Sequence, residues 1–231
     1  MMNSKLKSIS LLIGSLLLAP ATFAENAASA FTNDGTAVIG AAAVRAAITD
    51  EEGFTKVLST ELKNSGTPKD LVIGLSFETS LFTETVVASK KGTKTTATAD
   101  ATIEMKVYVD GVPAAPGTVV FDKRTQTLWA KLGGILDCDD LNTDGIVSFD
   151  ECTLTEEEIG LILDTRSAHT FNFLAYNIGS GSHTIEAFAK LSKDGQVVVE
   201  NPDDGYGTAN ASATLGKGTL SVWEVHGSNT D

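Results

Sequence analysis

From residue 54 onward the chain alternates between apolar and polar residues with a period of two, in runs rich in Val, Ile, Thr and Phe. That period sets successive side chains on opposite faces of an extended strand. It predicts strands over residues 54–60, 71–77, 101–109, 118–122, 127–132, 168–176, 183–191, 196–200 and 219–225. Asp110-Gly111 and Asp194-Gly195 lie between alternating runs, where two-residue hairpin turns are expected. Asn33-Asp34-Gly35, Gly179-Ser180-Gly181 and Asp203-Asp204-Gly205 add further turns. Many short strands with frequent turns predict a mainly β fold, an antiparallel β-sandwich of jelly-roll type.

Three stretches depart from this pattern. Residues 37–48 are rich in Ala; their composition suits a helix and their placement an edge strand or a linker, so they stay unassigned. Residues 89–100 are polar and of low complexity, which predicts a mobile loop between strands. Thr155 and Glu158 form the pattern of a capping box, and Ile159, Ile162 and Leu163 fall on one helical face, which predicts a short helix there. Its acidic first turn suits the positive end of the helix dipole.

The N-terminus carries Lys5 and Lys7, an apolar run over 9–19, Pro20, and the small-residue site Thr22-Phe23-Ala24. This is the order of a secretory signal, with the mature chain beginning near Glu25 and a second possible cleavage site at Ala28-Ser29-Ala30. The run is short of the about 20 apolar residues that span a bilayer, so no membrane insertion of the mature chain is expected. No Cys follows it to take a lipid. Cleavage leaves about 207 residues, which fits one domain over 25–231. The protein is expected to be secreted, periplasmic or at the cell surface. The leader holds two Lys and no acid, so its loss takes the formal charge from −13 to −15. Nucleic acid and anionic membrane surfaces are therefore poor partners.

The charge is concentrated. Residues 137–158 hold nine acids and no Lys or Arg, a crowding that calls for a cation. The only two cysteines, Cys138 and Cys152, bracket most of that segment, and in an exported protein they are expected to pair. The bond would close a loop of about 15 residues and stabilise by about 3 kcal/mol on the chain-entropy model.

From Asp140 the sequence reads D-L-N-T-D-G-I-V-S-F-D-E, which resembles the EF-hand calcium loop at each diagnostic position. Its D-x-N-x-D-G opening is shared with dockerin modules. The resemblance implies calcium held by Asp140, Asn142, Asp144, the Ile146 carbonyl, Ser148 directly or through water, and Glu151 as the bidentate closer. It also places Gly145 at the sharp turn and Val147 inward, against a core. It covers 12 to 25 of the 231 residues. Two features of the family are missing: residues 127–132 alternate as a strand where an entering helix belongs, and there is no second loop. With the helix after it, the loop forms an insertion at about 137–165. Residues 107–117 and 182–189 look similar to exported sandwich proteins.

No catalytic motif is found in the sequence, although acid pairs for glycoside cleavage would come together only in the fold. No G-x-S-x-G, H-E-x-x-H or P-loop pattern occurs, and His169, His183 and His226 are scattered on or beside strands, where structural roles are expected. Trp129, Trp223, Tyr108, Tyr176 and Tyr206 are the candidates for a sugar platform, with core packing as their expected use. The expected function is an exported calcium-binding structural or interaction module with an extracellular protein or glycan as partner. The alternative is a carbohydrate-binding module or secreted hydrolase in which calcium is a structural ion. Exposed aromatics on a concave face would favour sugar binding, and two facing carboxylates in a cleft the hydrolase.

Overall fold

The computed structural model describes residues 26–32, 39–40, 52–64, 66, 68–141, 143 and 145–225. The expected signal segment, the expected turn at Asn33-Asp34-Gly35, most of the Ala-rich stretch, Asn142, Asp144 and His226 lie outside them.

Eight strands build the body: β1 (Ala27–Phe31), β2 (Thr55–Asn64), β3 (Lys69–Ser89), β4 (Lys94–Val109), β5 (Val119–Lys131), β6 (Glu157–Ile178), β7 (Gly181–Val199) and β8 (Gly205–Val225). They pair as a hairpin folded along its length: β1 with β8, β2 with β7, β3 with β6 and β4 with β5, all antiparallel. Two further pairings, β8 with β3 and β7 with β4, wrap that hairpin into two sheets of order β1-β8-β3-β6 and β2-β7-β4-β5. This is the jelly-roll arrangement of an antiparallel sandwich. Ile39–Gly40 adds a short strand to β8, and Val112–Pro113 pairs with the end of β4.

Alternation explains the interior. Along β3, Leu71, Ile73, Leu75, Phe77 and Leu81 are buried, as are Ala101, Ile103, Met105, Val107 and Val109 along β4. With Phe173, Ile185, Leu215, Leu220 and Val222 they form the main core. Toward the other end of the sandwich the inward positions of β3 become Thr79, Thr83 and Thr85, all buried. There β5 supplies polar partners. The Thr83 hydroxyl donates to Gln126 Oε1 (2.7 Å), and Gln126 Nε2 donates to Thr85 Oγ1 (2.7 Å) and to the Leu161 carbonyl of β6 (2.8 Å). Arg124 donates to the carbonyls of Leu81 (3.0 Å) and Leu163 (3.1 Å) and to the Thr165 hydroxyl. Side chains of β5 thus cap backbone acceptors on the edge strand β6, which would otherwise offer them to another chain.

The expected hairpin at Asp110-Gly111 is present. Both residues have positive φ (51° and 80°), and Val109 pairs with Val112, as a two-residue primed turn requires. Other expectations are corrected. Asp194-Gly195 is no turn: β7 runs through it, with Asp194 opposite Asp100 and Gly195 opposite Ala99. A Cβ on Gly195 would lie 2.7 Å from the Ala209 carbonyl oxygen of β8, so the glycine serves a close approach of strands. Residues 89–100 are not a mobile loop; only 90–93 turn, and β4 begins at Lys94. The runs 118–122 and 127–132 are one strand, whose polar middle, Lys123 to Gln126, hid it. The helix expected after Thr155 is absent. Residues 157–178 are strand, paired with β3 without a break from Glu157↔Ser89 to Ala175↔Leu71. Nineteen consecutive pairings against a Thr- and Val-rich neighbour outweigh the local helical spacing.

One end of the body carries a titrating pair. Asp110 accepts from His183 Nδ1 (2.7 Å) and from the Thr184 amide (2.7 Å), while the Gly179 carbonyl lies 3.0 Å from His183 Nε2. The hydrogen bond to Asp110 raises the His183 pKa above its ordinary 6.5, and the same bond lowers Asp110 below its ordinary 3.8. The contribution of His183 is fully present below 6.5 and lost as pH rises through its raised folded value; that of Asp110 is present above 3.8 and lost as pH falls through its depressed one. The pair therefore stabilises most between those two ordinary values. Because Asp110 is half exposed, the effect is about 1 kcal/mol or less. Thermal melts from pH 5 to 9 should show His183→Gln less stable than the wild type at pH 5–6, with the gap closing at alkaline pH; a constant gap would contradict the assignment.

Candidate metal centre

The acidic segment forms an arm between β5 and β6. Ile135–Cys138 pairs antiparallel with Cys152–Thr155, ending in the pair Cys138↔Cys152. Those two cysteines form a disulfide, with sulfurs 2.01 Å apart. The loop of residues 140–151 therefore sits at the tip of a covalently closed hairpin, and neither flank is helical.

Local geometry in the loop follows from its residue types. Gly145 has φ +85°, the left-handed conformation glycine tolerates. Its amide donates to Asp140 Oδ2 (2.7 Å), which folds the sixth residue of the loop back on the first. At the far end a 3₁₀ turn spans Phe149–Glu151, and the Ser148 amide and hydroxyl both donate to Glu151 Oε2 (2.9 and 3.0 Å). Glu151 is buried at 8% exposure, uncommon for a carboxylic acid side chain. Ile146 is exposed, and its expected role uses only the backbone carbonyl. Val147 departs from expectation: it is 51% exposed and does not join the core. The arm projects from the body, so no core lies beneath it.

The structure thus orients Asp140, Ser148 and Glu151 within the loop, while Asn142 and Asp144 lie outside the described residues. Among the described residues no three His, Cys, Asp or Glu side chains gather as a cage. The donor chemistry fits calcium: all proposed donors are oxygens, both thiols are committed to the disulfide, and no histidine lies on the arm.

Not all nine acids surround the loop. Glu156 pairs with Lys90 (2.9 Å), the Gly134 amide donates to Glu157 (3.0 Å), and the Tyr206 hydroxyl donates to Glu158. These three carboxylates fasten the base of the arm. The bond to Glu156 raises the Lys90 pKa, and the same bond lowers that of Glu156.

A second polar cluster closes the gap between β5 and β6. Asp122 Oδ2 accepts from Thr79 (2.6 Å), and His169 Nε2 lies 3.3 Å from that oxygen and 2.8 Å from Ser167 Oγ. Serine, histidine and aspartate meet here, but Ser167 and Asp122 share one ring nitrogen. A nucleophile relay needs the hydroxyl and the carboxylate on opposite nitrogens, so the geometry does not build one. This cluster leaves no local pattern along the chain, because its members lie on three strands.

The aromatics correct another expectation. Trp129, Trp223, Tyr176 and Tyr206 are 63%, 46%, 59% and 48% exposed, so they are not core residues. Tyr108 packs edge-on against Phe188 at 5.4 Å. Among the described residues no helix is long and apolar enough to cross a membrane.

No protein-family model matches the chain, and no curated protein matches it.

Proposed function

We propose that the protein is an exported calcium-binding module, a jelly roll bearing one EF-hand-like loop on a disulfide-closed arm, which meets an extracellular protein or glycan. The observation that carries this reading is the folding of the loop on its own end residues: Asp140 takes the Gly145 amide and Glu151 takes Ser148. In calcium loops of this length the first and twelfth residues both ligate the ion. Asp140, Asn142, Asp144, Ser148, Glu151 and the Ile146 carbonyl would hold calcium, which would neutralise their charge and lock the arm tip. Export is supported by the leader pattern and by a disulfide that needs an oxidising compartment. At about 1 mM calcium and a dissociation constant near 10⁻⁴ M, binding adds roughly 1.4 kcal/mol to stability.

Disulfide and ion should reinforce each other, because a closed hairpin loses less chain entropy on binding. Limited proteolysis of the mature protein, oxidised or reduced and with calcium or a chelator, tests this. Cleavage between residues 139 and 150 should be fastest in the reduced, calcium-free state and slowest in the oxidised, calcium-loaded one. Equal rates in all four states would show that the surrounding fold holds the loop and that the clamp is wrong.

A further inference from the structure

The outer face of the sheet β1-β8-β3-β6 carries a feature that the calcium loop does not use. Trp223 of β8 pairs with Val72 of β3, and one row along Ser221 pairs with Gly74, which pairs with Asn172 of β6. A Cβ placed on Gly74 would come within 3.2 Å of the indole Cζ3, 3.4 Å of its Cη2 and 3.4 Å of Asn172 Oδ1. The six-membered ring of Trp223 therefore lies over Gly74, and Asn172 Oδ1 borders the same position. The backbone of Gly74 is not in the left-handed region, so room for the indole is what its missing side chain supplies. At 46% exposure the indole keeps a face toward solvent.

Farther along the same face lies a groove of about 470 Å³ lined by Phe31, Ser76, Glu78, Thr170, Lys217 and Thr219. Phe31 is 66% exposed, and the Ser76 and Thr170 hydroxyls bond each other across β3 and β6 (2.8 Å). Phe31 pairs with Thr219, four residues from Trp223 along β8, which places the two rings' strand positions about 14 Å apart. Among the described residues no side chain or backbone group engages the Asn172 amide, the Glu78 carboxylate or the Lys217 ammonium. The arrangement is a flat aromatic surface, then a groove with an apolar wall and a few polar groups of both signs.

We infer that this face binds a neutral glycan chain of equatorially substituted, β-linked pyranose rings. Such a ring has flat faces of C–H bonds, which suit the negative face of an indole, and a rim of hydroxyls that can donate to Glu78 and accept from Lys217 and Asn172. Apolar contact with a few placed polar groups is the general form of a small-molecule site. The strongly negative chain disfavours polyanionic glycans. The site lies toward the opposite end of β3 from the arm, whose base meets Ser89, so it stands or falls separately from calcium binding.

Affinity electrophoresis of the mature protein through gels containing hydroxyethylcellulose or xylan, with a polyuronate gel as the charged control, tests the inference. The protein should be retarded in a neutral gel and not by the polyuronate. Trp223→Ala should weaken binding roughly tenfold or more, as loss of a stacking surface requires. Gly74→Val, which keeps the indole but lifts it, should also weaken it, while Trp129→Ala should not. In Trp129→Phe protein, where Trp223 is the sole indole, cellohexaose should shift the emission. No retardation in either neutral gel, retardation unchanged by Trp223→Ala, preference for the polyuronate, or an emission spectrum unmoved by millimolar cellohexaose would overturn it.

Discussion

Phe173→Ala should destabilise the protein by about 3–5 kcal/mol, the range for removing a large aromatic from a packed core. Phe173 is fully buried, lies opposite Ile73 in the β3–β6 ladder, and meets Phe171 edge-on at 5.1 Å. Around it stand the Leu71, Ile73 and Leu75 side chains of β3, which cannot collapse far into the space left behind because both sheets fix them. Ile162→Ala, eleven residues earlier on the same strand, should cost about 0.5 kcal/mol or less, because Ile162 is 60% exposed. Urea denaturation of both variants measures the contrast. Comparable losses would mean that β6 is not seated as described. A large loss at Ile162 alone would favour the buried helical face that the local sequence pattern suggested.

That contrast marks what could be read from the chain before folding. The apolar half of the sandwich was legible because Leu71, Ile73, Leu75 and Phe77, or Ile103, Met105 and Val107, alternate with polar residues. Sheet class and architecture followed from those runs. The other half was not, because its inward positions are Thr79, Thr83, Thr85, Arg124 and Gln126, whose partners are known only once β3, β5 and β6 are side by side. The same distance in sequence hid the role of Gly74, a strand glycine whose absent side chain matters only under Trp223. Asp194-Gly195 misled for a related reason, since a glycine admits a close neighbouring strand as readily as a turn. The helix failed because Thr155, Glu158 and the spacing of Ile159, Ile162 and Leu163 are local signals, and ladder pairing with β3 overrode them. The loop pattern stood out because the donors proposed for calcium all sit within twelve residues, but Val147, expected to point inward, was not correctly placed: a loop on a projecting arm has no core beneath it.

The second large effect is expected on calcium binding. In the proposed site Glu151 would supply the closing carboxylate, and its Oε2 is held by both the amide and the hydroxyl of Ser148. Glu151→Gln removes a charged donor and should weaken calcium binding by roughly 10- to 100-fold. Ser148→Ala keeps the amide contact and should weaken it less. The direct measurement is calorimetric titration of the oxidised mature protein with calcium, then with magnesium, for the wild type and Glu151→Gln. The expected result is one calcium per chain with a dissociation constant of about 10⁻⁴ to 10⁻³ M, a weaker response to magnesium, and a sharp loss in the variant. No calcium heat at millimolar concentration, or binding that Glu151→Gln leaves unchanged, would contradict it.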